Sequence, residues 1–345
     1  MRGPTLILAC LAACLVAGGA CTGGDAAADD DSGVDVDVDA EAIEDEVVED
    51  QATDPWPEVP SASRPRVLAD GLSRPCGLAA AGDGVYVAEE GEARVLLVPL
   101  AGGTFEEAAA SLDGPTMLAA AGGDVFVTQR AAGTVVRVRA GAATTLASGE
   151  RNPGRIRTDG SFVYWVAEGT AELAGAVRRV SVDGGVPSDV VAPIRSPRGL
   201  ALAGERCYFT DGEPIGVGWV PVDGGDPVRV SDVDGTPFDI LVDAAAGEVF
   251  WTSPGRRGGG WIHRTDLDLG GDARVGFSPP GPSFLAADDS RVFWSTSQTI
   301  SWAPRAGGGY QDLVIETSAC DLALVDRTLV WTESATGRVL ATDVP

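Results

Sequence analysis

From about residue 65 onward, apolar positions fall in short alternating runs, never in a sustained helical period. Such runs predict half-buried strands rather than long helices. The runs themselves recur. A Pro-x-x-aliphatic opening appears at Pro75/Leu78, Pro115/Leu118, Pro153/Ile156, Pro197/Leu200, Pro237/Ile240 and Pro282/Leu285, and a seventh copy has Ala319 and Leu322. The openings are 40, 38, 44, 40, 45 and 37 residues apart. Each is followed by a polar turn and an aromatic strand, such as Val85-Tyr86-Val87, Cys207-Tyr208-Phe209 or Val330-Trp331. A Val-rich third strand comes next, as in 95–100, 177–182 or 217–222, and most copies end it in Gly-Gly. A short fourth strand, as in 144–147 or 313–315, leads to the next opening.

Four short antiparallel strands per unit of about forty residues predict an all-β, seven-bladed β-propeller. Small residues such as Ala79-Ala80-Ala81 suit inner strands crowded at an axis, and aromatic second strands suit the widening wedge between blades. Gly-Gly allows the positive φ of the turn to the outer strand. Six or eight blades are the alternatives, and the ends of the repeat region favour seven. A lone outer-strand sequence, Arg66-Val67-Leu68-Ala69, precedes the first opening, and the chain stops after a third strand. Pairing the two closes the ring and removes an exposed edge.

Composition changes the picture mainly at the N-terminus. Arg2, the apolar stretch Leu6–Val16 and the small residues Gly18-Gly19-Ala20 have the form of an export signal over residues 1–20. Cys21 follows at once and the chain turns polar. The arrangement resembles a bacterial lipoprotein signal, which implies acylation of Cys21; Gly18 stands where that motif has Leu, Leu11-Ala12-Ala13-Cys14 fits it better and stays open as an alternative, and a plain secreted protein cut near Ala20 is the other. Residues 21–64 then form an acidic tether: fifteen of the 51 Asp and Glu residues lie in 22–64 beside a single Arg, Arg64. So dense a like charge with so few large apolar groups predicts a disordered linker. Asp35, Asp37, Asp39 and Glu46 match positions 1, 3, 5 and 12 of a calcium loop, but Ala40 occupies the glycine position, and no metal site is expected. The domain boundaries are thus 1–20, 21–64 and 65–345.

The net charge of −26 argues against nucleic acid as a partner. All 25 basic residues are Arg. The chain has one His, His263, expected to be solvated or at the core edge, so a Ser-His-Asp mechanism has almost no basis.

Phe250-Trp251-Thr252, Val330-Trp331-Thr332-Glu333 and Tyr208-Phe209-Thr210-Asp211 resemble the Tyr-Trp-Thr-Asp repeat of low-density-lipoprotein-receptor propellers and their bacterial relatives. The Pro-x-x-Leu-Ala opening is shared with gluconolactonase-like, NHL and TolB-like propellers. The resemblance covers residues 65–345. It implies the fold, but such propellers include enzymes, binding modules and scaffolds. Receptor propellers of this type usually have six blades. Metal-dependent lactonases of the gluconolactonase-like group hold their ion with Glu, Asp and Asn, whereas this chain has a single Asn, Asn152.

Residues just before the inner-strand aliphatic are expected at the channel mouth: Arg155, Arg198, Asp239 and Asp321, with Phe238 and Phe284. They suit a polar ligand or a protein segment, with solvated loop charge as the plain alternative. No cofactor and no catalytic residue are expected, and a monomer attached to the cell envelope through its lipid alone is the simplest organisation. The reading that follows is a non-catalytic binding or scaffolding module. The alternative is a periplasmic metal-dependent hydrolase, lactonase or lyase with its site in the channel, which three or more converging axial carboxylates would favour. Cys76 and Cys320 occupy the same position of the first and last copies, which ring closure makes neighbours; export permits a disulfide between them, and two free core thiols are the alternative. Cys207 is expected to be a buried thiol.

Overall fold

The computed structural model describes residues 64–344, apart from 171–174, 213–214, 232–234, 256–258, 272 and 279–280. The export signal with Cys21 and Cys14, the acidic tether and the calcium-like loop lie outside the described residues. Every regular element among the described residues is a β-strand, and the strands form seven four-stranded antiparallel sheets. Six sheets run in simple sequence order from inner to outer strand. The seventh takes three strands from the C-terminus and its outer strand, Arg66–Ala69, from the start of the domain. Arg66 lies opposite Ala341 and Ala69 opposite Val339 on Arg338–Asp343. Inner strands contact their neighbours all the way round, the first touching the last. The chain is a seven-bladed β-propeller closed between its N-terminal strand and its C-terminal hairpin.

The repeat supplies the core. Trp165, Trp251, Trp294 and Trp331, with Tyr164, Tyr208, Phe126, Phe209, Phe250 and Phe293, are the largest fully buried side chains, and all sit on second strands. Each apolar cluster joins residues of adjacent blades, as where Trp331 of the last blade packs with Phe293 of the sixth. The core is therefore a ring of inter-blade wedges. The Gly-Gly pairs adopt positive φ, as at Gly184 (93°) and Gly185 (136°). Their turns also serve as latches. Arg137 donates to Val182 O and Asp183 of the next blade, and Arg179 repeats the grip on Val222 O and Asp223.

The Thr of the aromatic strand has its own repeated role. Thr210 Oγ1 accepts from the backbone N–H of Arg198 and Gly199, at 3.1 and 2.8 Å. Thr252 and Thr332 donate onward to the next blade, to Ser283 O and Cys76 O, each at 2.7 Å. These bonds pin the short segment between the Pro and the inner-strand aliphatic, which lies at the channel mouth. In the first three blades that segment carries a register shift. A bulge of this kind redirects the side chain it carries.

Two residues differ from expectation or repay a closer look. His263 is fully buried, stacked on Trp251 at 4.8 Å and 4°, with Nε2 2.7 Å from Ser253 Oγ. It lies neither in solvent nor at the core edge, because the third strand of the fifth blade runs beneath that aromatic wedge. Cys207 is a buried thiol whose burial pushes its pKa up to about 12.

Candidate ligand site at the channel mouth

The residue two places after the Pro or Ala opening reads, round the ring, Gly77, Met117, Arg155, Gly199, Asp239, Phe284, Asp321. The next position is Leu or Ile in every copy, whereas the one before varies as widely (Cys76, Thr116, Gly154, Arg198, Phe238, Ser283, Cys320), so the units diverge over the two residues that precede the aliphatic. Backbone crowding explains the glycines. A Cβ at Gly77 would stand 2.5 Å from Thr116 O, and one at Gly199 would stand 2.9 Å from the Ile240 nitrogen. The other five positions have room for a side chain.

Arg155 reaches across from the third blade to the fifth and seventh. Its guanidinium lies 2.8 Å from Asp321 Oδ1 and 3.2 Å from Asp239 Oδ2, and it caps the Phe284 ring at 5.0 Å. All three charged groups are buried. The carboxylates hold the blades as well: Asp239 Oδ2 accepts from Leu285 N–H of the next blade at 3.0 Å, and Asp321 Oδ2 from Leu78 N–H of the first blade at 2.9 Å. Burial alone would lower the Arg155 pKa, but Asp239 and Asp321 more than reverse this and keep it charged. Arg157, two residues deeper, donates to Ile156 O at 2.9 Å. Burial and the charge of Arg155 lower its pKa to about 10, against the pull of the two aspartates.

Above this plug lies a cavity of about 260 Å³ lined by Met117, Arg130, Arg155, Glu168, Arg198, Phe238 and Phe284, among others. Phe238 and Phe284 meet edge to face at 5.3 Å and 79°. Arg198 is exposed and lies over Phe238 at 5.5 Å. Arg130 forms a two-pronged bridge to Glu168. Glu168 can lean inward because Gly154 has no Cβ, which would otherwise stand 2.9 Å from Glu168 Oε1. Cys76 joins the wall, bonded to Cys320 with the Cα atoms 5.1 Å apart across the seam between the first and last blades.

The structure thus brings all six mouth residues together but divides them into two layers. Arg198, Phe238 and Phe284 line the cavity. Asp239 and Asp321 lie beneath it as buried partners of Arg155, not as solvated loop charge. Sequence reasoning missed Met117, Arg130, Glu168 and Arg157. Met117 shares the aligned position and was findable; Arg130 and Glu168 follow the aromatic strands, and their pairing is legible only in three dimensions. Larger clefts of about 530 and 340 Å³ lie away from the axis, one between the sixth and seventh blades around Ile315 and Thr336, the other around Arg151 and Arg178. No group of three or more His, Cys, Asp or Glu residues among the described residues is placed to hold a metal ion.

The chain matches no protein-family model and no curated protein sequence. Solved structures do resemble it. YCF48 bound to D1 peptide aligns with a TM-score of 0.64 at 10% identity, over 84% of this chain and 100% of that one. A Xanthomonas campestris gluconolactonase aligns at 0.53 and 16% identity, over 82% and 91%. A nidogen/laminin complex chain aligns at 0.52 and 20% identity, over 64% and 88%. At these identities the likeness shows the β-propeller fold alone.

Proposed function

We propose that this protein is a lipid-anchored, exported β-propeller that acts as a non-catalytic binding module of the cell envelope, taking its ligand at the channel mouth. The observation that carries this reading is the state of the axial carboxylates. Only Asp239 and Asp321 among the aligned mouth positions are acidic, and both are engaged by Arg155 and by backbone N–H groups of the next blade. Asp239 Oδ1 accepts no hydrogen bond among the described residues, but it is buried, and its carboxylate already pairs with the Arg155 cation through Oδ2. The cavity above them has the makeup of a recognition site, with two aromatic rings, a Met and exposed Arg groups. Among the structural neighbours, YCF48 was solved with a bound peptide and nidogen in complex with laminin, so this fold does serve as a binding module. The export signal and Cys21 would tether the domain to the membrane through residues 22–64.

Site-specific photo-crosslinking in the producing cell tests the site. A crosslinker at Met117 should yield a discrete adduct. One at Ala245, in the turn at the opposite end of an inner strand, should not. Equal labelling at both positions, or none at Met117, counts against the mouth. Mass spectrometry of the mature N-terminus should find an acylated Cys21. An unmodified N-terminus or a lipid on Cys14 rules out that anchor.

A further inference from the structure

The charges of the mouth specify a ligand class, an inference that rests on the mouth being the binding site. Arg155 is matched by two carboxylates and Arg130 by Glu168. Arg198 lines the same cavity with no hydrogen bond or ion pair to its guanidinium among the described residues. Its guanidinium carbon lies over the Phe238 ring, 5.5 Å from the centroid, where the ring face attracts the cation. The mouth therefore presents one unmatched guanidinium in a protein whose net charge is −26. A planar guanidinium pairs best with a carboxylate, which can accept two parallel N–H bonds.

The rest of the cavity defines what the carboxylate is attached to. Met117, Phe238 and Phe284 make the wall apolar beside Arg198. A cationic ligand is disfavoured, because the Arg155 and Arg198 guanidiniums already cap the Phe284 and Phe238 rings and the unmatched Arg198 would repel it. A folded partner surface is disfavoured by size: about 260 Å³ is smaller than the ~300–1,000 Å³ typical of drug-sized ligand pockets. That space suits one apolar group carrying its own acid. We propose that the mouth binds a carboxylate with an apolar body, with the acid on Arg198 and the body between Met117 and the Phe238–Phe284 pair. Two sources share this chemistry, the last residue of a polypeptide and a free organic acid.

The test uses the immobilised full-length chain and two peptide libraries with randomised last three residues, one ending in free carboxylates and one in amides. The acid library should be retained on wild type with at least tenfold preference over the amide library. Arg198→Gln should abolish that preference and Arg198→Lys restore it in part, while Arg151→Gln, an exposed Arg outside the mouth, should leave it intact. 3-Phenylpropanoate is the free-acid probe. If it binds wild type in an Arg198-dependent manner and no peptide acid is retained, the source is a small organic acid and the proposal stands. Equal retention of acids and amides, indifference to Arg198→Gln, or binding of neither acid probe overturns it. Crosslinking at Met117 separates the two failures. An adduct there with no acid preference leaves the mouth as the site and removes only the carboxylate, whereas absence of an adduct removes both.

Discussion

Two kinds of blade meet at the axis. The third, fifth and seventh place Arg155, Asp239 and Asp321 where the first and fourth have Gly77 and Gly199. At the glycines the neighbouring backbone stands where a Cβ would go. At the charged positions the gap is wide enough for side chains that cross the channel. The first kind of contact is steric and local. The second is electrostatic and joins blades that are not neighbours. A ring built from one repeated unit thus acquires an asymmetric centre through substitutions at the two aligned positions before the inner-strand aliphatic, while the strands and wedges around it stay alike. The remaining two positions, Met117 and Phe284, furnish apolar wall for the cavity above.

The largest expected effect comes from breaking the charged kind. Arg155→Met should cost about 3–5 kcal/mol, because it leaves two buried aspartates without their cation. Denaturant unfolding measures the loss, and a change under about 1 kcal/mol would mean that the aspartates find other partners.

The seam between the first and last blades comes next. Cys76→Ser with Cys320→Ser opens a link between residues 244 apart in sequence. Removal should lower stability by about 2–5 kcal/mol in an oxidising compartment. Non-reducing peptide mapping should recover the Cys76–Cys320 pair. Free thiols at both positions would set this prediction aside.

The glycine kind is probed by Gly77→Ala and Gly154→Ala. At Gly77 the obstacles are backbone atoms, Thr116 O at 2.5 Å and Met117 Cα at 2.6 Å. Overpacking there should cost about 1–3 kcal/mol. At Gly154 the obstacle is the tip of Glu168, which can swing away, so the cost should be smaller. The reverse order would contradict the account of backbone crowding.

The smallest effect is a pH dependence away from the axis. Asp124 is held below the usual carboxylate range chiefly by its bond to Arg139. Glu333 is pushed up by burial, but bonds from Thr317, Thr336 and Arg338 outweigh this and leave it low. A carboxylate depressed in the folded state stabilises above its ordinary value of ~4 and loses that contribution as pH falls through the folded value. The melting temperature should therefore hold near neutrality and drop below about pH 4. Glu333→Gln should be less stable than wild type near neutrality, and the gap between them should narrow as pH falls.

The fold was legible because the repeat is written in residue types with fixed jobs. Pro-x-x-Leu marks each inner strand, and the aromatic strand marks each wedge. The lone Arg66–Ala69 segment and the missing last strand named the closure, and the structure pairs them. The mouth was legible in membership, since the six residues were picked by their place before each inner-strand aliphatic. Their chemistry was not, because one blade of sequence says nothing about which other blade it faces. Asp239 lies 84 residues from Arg155 and Asp321 lies 166. Only ring geometry makes them partners, and so turns expected solvated charge into a buried plug. His263 failed for a similar reason: its strand's alternation does not reveal that Trp251 of the neighbouring strand covers it.

The claim on which the rest depends is that Arg155, Asp239 and Asp321 form one ion-paired structural unit and are not reactive groups. Denaturant unfolding of the triple variant Arg155→Met, Asp239→Asn, Asp321→Asn tests it directly, since each Asn keeps an oxygen able to accept the Leu285 and Leu78 N–H bonds. The account predicts that the triple variant regains most of the stability lost by Arg155→Met alone. A triple variant less stable than Arg155→Met would contradict it.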